Sequence, residues 1–101
     1  MIKVSIKRKN NIIDEIKMNG HAKYDEYGKD IVCAGVSSSL IISVNACLSF
    51  DKNSVIYNED NNFYLKNIKK DDITNTLLEN LVNMLKSIEE DYKDNIKIKE
   101  E

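Results

Sequence analysis

Ile2, Val4 and Ile6 alternate with Lys3, Ser5 and Lys7, the period of two that a strand with one buried face requires. Asn10-Asn11 follows, two residues that tolerate the positive φ of a tight turn. Ile12, Ile16 and Met18 then resume the alternation, with Asp14 interrupting that face. The pattern predicts a β-hairpin. From Ile31 to Phe50 the period changes: Val32, Val36, Leu40, Val44 and Leu48 recur every four residues, with Ile41 and Cys47 on an adjacent line, which predicts a core-facing helix. The β-prone segments 54–57 and 62–65 flank the polar stretch Asn58-Glu59-Asp60-Asn61 and predict a second hairpin. Asp71-Asp72 offers an amino-terminal cap and dipole partner to a second helix carrying Ile73, Leu77, Leu81, Met84, Ile88 and Tyr92. Ile96 and Ile98 alternate with Lys97 and Lys99, which suits a short strand returning to the sheet edge.

The order ββαββα(β), without repeats or linker composition, implies an α+β fold: a mostly antiparallel sheet with two helices packed on it. A chain of 101 residues has room for one core, so residues 1–101 are expected to form a single domain. Hydrophobic residues at 42% and charged residues at 32% support a packed globule over disorder. The formal net charge of −2 argues against a dedicated nucleic-acid binder, and the only compact basic run, Lys7-Arg8-Lys9, suits a solvated strand end. No run of consecutive apolar residues reaches the ~18 to 20 of a membrane span, and residues 1–9 lack the apolar core of a signal peptide. No membrane partner and a cytoplasmic location are therefore expected. Cys33 and Cys47 fall in one helical segment, where 14 residues at ~1.5 Å each hold them about 21 Å apart, so both should be free thiols.

The candidate chemistry is concentrated. The chain has no proline and three glycines, Gly20, Gly28 and Gly35, and the segment they span also holds the sole histidine, His21, and Cys33. A chain that elsewhere avoids glycine has gathered its conformational freedom here, as a ligand loop would need. His21, just beyond the second strand in Gly20-His21-Ala22, could serve as a base or could be a polar surface residue. Asp30 is a plausible helix N-cap, which would make Cys33 the third helical residue, where backbone amides and the helix dipole favour thiolate. Cys33 within Ile31-Val32-Cys33-Ala34 could equally be a small core hydrophobe. Cys47, deep in the helix beside Val44 and Leu48, reads as packing. Paired, an imidazole can take the thiol proton and return it to a leaving amine, while helix-start amides could bind an oxyanion. Asp30 and Ser37 each lie about one turn from Cys33 and could hydrogen-bond near it, or could act only as a cap and a solvated face. Tyr24 and Tyr27 flank the glycines and could contact a peptide. One histidine and two distant cysteines do not make a zinc site, and no Gly-x-Ser-x-Gly elbow is present, so no metal or other cofactor is expected.

The segments Gly20-His21-Ala22, Tyr27-Gly28-Lys29-Asp30-Ile31-Val32-Cys33-Ala34 and Val36-Ser37 resemble the ribosomal-processing cysteine protease family. The resemblance implies that His21 and Cys33 are the catalytic pair, that Asp30 and Ser37 support them, and that the loop between the pair is mobile. It further implies a homodimer and a substrate: the precursor of large-subunit ribosomal protein number twenty-seven, trimmed of an N-terminal extension after an aromatic residue. Gly35 departs from the family pattern, which has a second alanine there, at roughly 1 kcal/mol of helix propensity. The competing readings are a non-catalytic ribosome-associated binding module and a redox sensor built on Cys33.

Overall fold

A computed structural model describes residues 1–20, 29–60 and 62–101, with Lys29 and Asp30 described by their backbone alone. The elements run β1 (Ile2–Lys9), β2 (Ile12–Asn19), α1 (Lys29–Phe50), β3 (Val55–Asn58), β4 (Phe63–Asn67), α2 (Asp72–Asp91) and β5 (Ile96–Glu100). The expected α+β order is present, and the final strand forms.

The five strands make one sheet in the order β3-β4-β2-β1-β5. β1–β2, β2–β4 and β3–β4 are antiparallel, while β5 lies parallel to β1 with Ile2 opposite Ile96. Asn10 and Asn11 take φ of 53° and 66°, the pair of left-handed residues that a two-residue hairpin turn demands. At the second hairpin the Asp60 amide donates to Asn58 Oδ1, an Asx turn that closes the polar stretch.

Alternation puts Ile2, Val4, Ile6, Ile16, Phe63, Leu65 and Ile96 on one face, where they meet Val32, Val36, Leu40, Val44 and Cys47 of α1. Leu78, Leu81, Val82 and Leu85 of α2 complete this core. Both helices therefore cover the same side of the sheet, and among the described residues nothing packs on the other side.

Two details of the apolar pattern differ from the alternation read along the chain. In β2 the ladder slips between Lys7 and Arg8, so that Lys7 faces Glu15 and Arg8 faces Ile13, leaving Asp14 as the extra residue of a bulge. The bulge turns Ile13 into the core in place of Ile12 and buries Asp14. Lys66 donates to Asp14 Oδ2 at 2.9 Å, Lys70 stands 2.8 Å from Oδ1 as an ion pair off the hydrogen-bonding line, and Lys9 lies at 3.7 Å. The close ammonium of Lys70 and the hydrogen-bonded ammonium of Lys66 outweigh the cost of burial and hold this carboxyl far below the usual carboxylate range.

In α2 the cap is as expected, since Asp71 accepts a hydrogen bond from the Thr74 amide. The buried stripe, however, is Thr74, Leu78, Leu81, Val82 and Leu85, while Ile73 and Met84 stand 46% and 50% exposed. Apolar residues flank that stripe on its outer side, so period alone does not centre it.

The segment Ile31–Phe50 carries no charge and is, by length and composition, long and apolar enough to cross a membrane, although no unbroken apolar run reaches that length. Here one side of it is packed into the core, and its sequence is broken by Ser37-Ser38-Ser39, Ser43, Asn45 and Ser49.

Candidate active site

The strand that leads to His21 ends at Asn19, and the next residue, Gly20, has φ of +87°. A methyl group built at this position would overlap the carbonyl oxygen of Met1, so both the backbone angle and the close approach to β1 require glycine. Gly20 thus fixes where the chain leaves β2. His21, Tyr24, Tyr27 and Gly28 lie outside the described residues.

On the other side of the site, α1 begins at Lys29. This corrects the expected cap: Asp30 is the second helical residue and Cys33 the fifth. Val32 and Val36 are buried, and Cys33, next to that stripe, is half-buried and packs against the core cluster. Ser37, one turn further on, is also half-buried.

A groove of about 160 Å³ opens between the end of β2, α1 and the β3–β4 turn. Met18, Asn19 and Gly20 form one wall, Ser37, Leu40 and Ile41 the second, and Glu59, Asn62 and Phe63 the third. It brings together Gly20, the neighbour of His21, and Ser37, about 6 Å along the helix axis from Cys33. Cys33 is not itself among the lining residues. Met18, Leu40, Ile41 and Phe63 make the groove mainly apolar, and Glu59 is the charged group among its described lining residues. The sequence signal for these four was only their hydrophobicity, which reads equally as core. A wider hollow between α2 and β5 is lined by none of the residues nominated from the sequence.

The two cysteines sit in different surroundings. Both are free thiols, as the helix geometry required. Cys47 is fully buried; burial, with a smaller contribution from the charge of Asp71, pushes its thiol pKa up. Its carbonyl accepts from the Ser54 hydroxyl and the Asp51 amide, tying the end of α1 to the start of β3. That role is structural, and the half-buried thiol at position 33 is the one near the groove. Among the described residues no group of three His, Cys, Asp or Glu could hold a metal ion.

Known proteins share this fold over the whole chain. The Bacillus subtilis (strain 168) ribosomal processing cysteine protease Prp is 33% identical over 107 residues, covering 97% of this chain and 96% of its own. The essential ribosomal processing protease Prp from S. aureus, solved with a substrate peptide, superposes with a TM-score of 0.92 at 32% identity, covering 100% of both chains. The same protein with a covalently linked product peptide gives a TM-score of 0.90 at 33% identity, again covering 100% of both chains. Residues 1–97 match the family described as cysteine protease Prp, and to that family of cysteine proteases this chain belongs.

Proposed function

We propose that this enzyme removes the N-terminal extension from the precursor of large-subunit ribosomal protein number twenty-seven in the cytoplasm, with Cys33 as nucleophile and His21 as general base. The observation that carries this reading is the groove shared by Gly20 and Ser37. One wall is next in sequence to the histidine, and the other is one helical turn from the thiol. Its apolar lining, Met18, Leu40, Ile41 and Phe63, suits the aromatic residue after which cleavage is expected. The peptides bound to the S. aureus relative, one of them covalently linked, support a peptide substrate and a covalent step.

In this reading His21 takes the proton of the Cys33 thiol, and the sulfur attacks the scissile carbonyl carbon. The resulting oxyanion is met by amides of the first turn of α1. Collapse breaks the C–N bond as the imidazolium protonates the leaving amine, giving a thioester that water then hydrolyses with His21 as base. Asp30 and Ser37 orient the pair, and Tyr24, Tyr27 and Gly28 contact the substrate from the intervening loop. The protein acts as a homodimer, for which the outer side of α1, with Ile42 67% and Phe50 66% exposed, supplies unpartnered apolar surface.

The test is incubation with a peptide spanning the extension junction, read by mass spectrometry. A single cut after the aromatic residue is expected, lost in Cys33→Ala by at least about a thousandfold and retained in Cys47→Ala. Undiminished cleavage by Cys33→Ala would remove the nucleophile assignment. Stoichiometric binding without any cut would mark a binding module. Sedimentation at micromolar protein checks the dimer.

A further inference from the structure

The whole-chain charge of −2 averages over two unlike surfaces. Cross-strand pairing aligns Lys3 with Lys97, Ser5 with both Lys17 and Lys99, Lys7 with Glu15, Glu15 with Lys66, and Lys17 with Tyr64. Residues directly opposite in a sheet share a face, and these lie opposite to the buried Ile2, Val4, Ile6, Ile16 and Leu65. The side of the sheet that neither helix covers is therefore a lysine field. With Lys9 at the turn it holds seven lysines against Asp14, Glu15 and Glu101, a surplus of four positive charges, which leaves the rest of the chain at −6.

The carboxylates of this face are already engaged. Asp14 is held by Lys66 and Lys70, and Glu15 accepts from the Tyr64 hydroxyl with Lys7 at 4.0 Å. Among the described residues Lys3, Lys17, Lys97 and Lys99 make no ion pair. The row Tyr64, Lys17, Ser5, Lys99 crosses four strands, about 14 Å at the usual ~4.8 Å strand spacing.

We infer that this open sheet face binds RNA through its phosphate backbone. Charge complementarity selects a polyanion, since four ammonium groups with no ion pair among the described residues, on one flat face, repel a second copy of themselves and attract phosphates. The shape selects among polyanions. A sheet of five strands, roughly 20 Å wide, does not enter the ~12 Å major groove of B-DNA but can lie along a single strand or against the wide, shallow minor groove of A-form RNA. Ser5, between the lysines, can hydrogen-bond a ribose hydroxyl. The one large exposed apolar side chain of this face among the described residues is Ile56, opposite Lys66 on the short strand β3, which is far less than the continuous apolar face that inserts into a lipid surface. The contact is non-specific and of micromolar affinity. It stands apart from the groove on the helix side and does not depend on the catalytic assignment.

The test measures fluorescence anisotropy of a labelled ~20-nucleotide oligouridylate between about 50 and 200 mM salt. The triple variant Lys17→Gln/Lys97→Gln/Lys99→Gln should weaken binding on the order of tenfold at the lower salt. It should also lower the slope of log affinity against log salt by about 2, at ~0.7 per lost single-strand phosphate contact. Lys52→Gln, in the turn between α1 and β3, should leave binding unchanged, and circular dichroism checks that both variants fold. Unchanged RNA affinity in the triple variant would overturn the proposal. So would tighter binding to duplex DNA of the same length, lysine-dependent binding only to phosphatidylserine vesicles, or conversion of a dimer to a monomer by the triple variant.

Discussion

Gly20 and Gly35 are both near the site, yet a methyl group has opposite effects at the two positions. At Gly20 it meets the Met1 carbonyl with the backbone at φ +87°, so Gly20→Ala should destabilise the fold by about 2 to 3 kcal/mol. It should also slow peptide cleavage by displacing the chain that leads to His21; thermal melting and kcat/KM check the two effects. At Gly35 the added carbon would sit 3.5 Å from Ile88 Cδ1, an ordinary contact in a helix of normal φ. Gly35→Ala should therefore raise stability by about 1 kcal/mol, seen as a higher Tm with cleavage retained. The sequence distinguished Gly35 only through its departure from the family pattern. The need for glycine at position 20 comes from the approach of β1, a contact between residues far apart in the chain.

Short-range signals were the most legible of the elements. Asn10-Asn11 announced a turn that needs two positive φ values, and Asp71 announced the cap of α2, because both effects act within three residues. The bulge at Asp14 was not legible: it depends on the ladder with β1 and on Lys66 and Lys70 arriving from β4 and the turn beyond it. In α2 the apolar residues occupy a band wider than the face that is buried, and only packing against α1 and the sheet decides which of them are central. That decision can be measured. Leu85→Ala should cost about 2 to 5 kcal/mol in chemical denaturation, as expected for a fully buried leucine, whereas Met84→Ala should stay within about 0.5 kcal/mol. Equal losses at the two positions would place the helix in a different rotation about its axis.

Across the molecule, carboxylates paired with cations make acid the condition that loosens the fold. Asp14 has an ordinary pKa of 3.8, held far lower in the folded state by Lys70 and Lys66. A depressed folded-state pKa means that its contribution is fully present above the unfolded value and is lost as pH falls below about 4 toward the folded one. Glu79, lowered chiefly by its bond to Arg8, and Asp51, lowered chiefly by its bond to Lys69, act with the same sign. Asp14→Asn should therefore be less stable than the parent at neutral pH, and the gap should shrink as pH drops through 4 to 3, measured by urea denaturation across that range. A gap that stays constant would mean that Asp14 is not charged in the native protein.

The parallel pairing of β1 with β5 sets Ile2 beside Ile96, 94 positions away. During synthesis, β1 and β2 can meet as soon as they leave the ribosome, but one edge of β1 waits for a partner until the other four strands and both helices have emerged. Until then α1, with its uncharged run of twenty residues, has only part of its eventual cover. The nascent chain thus passes through an interval in which an open strand edge and an apolar helix are displayed together, and it is β5, the strand whose existence was least visible in the sequence, that ends it.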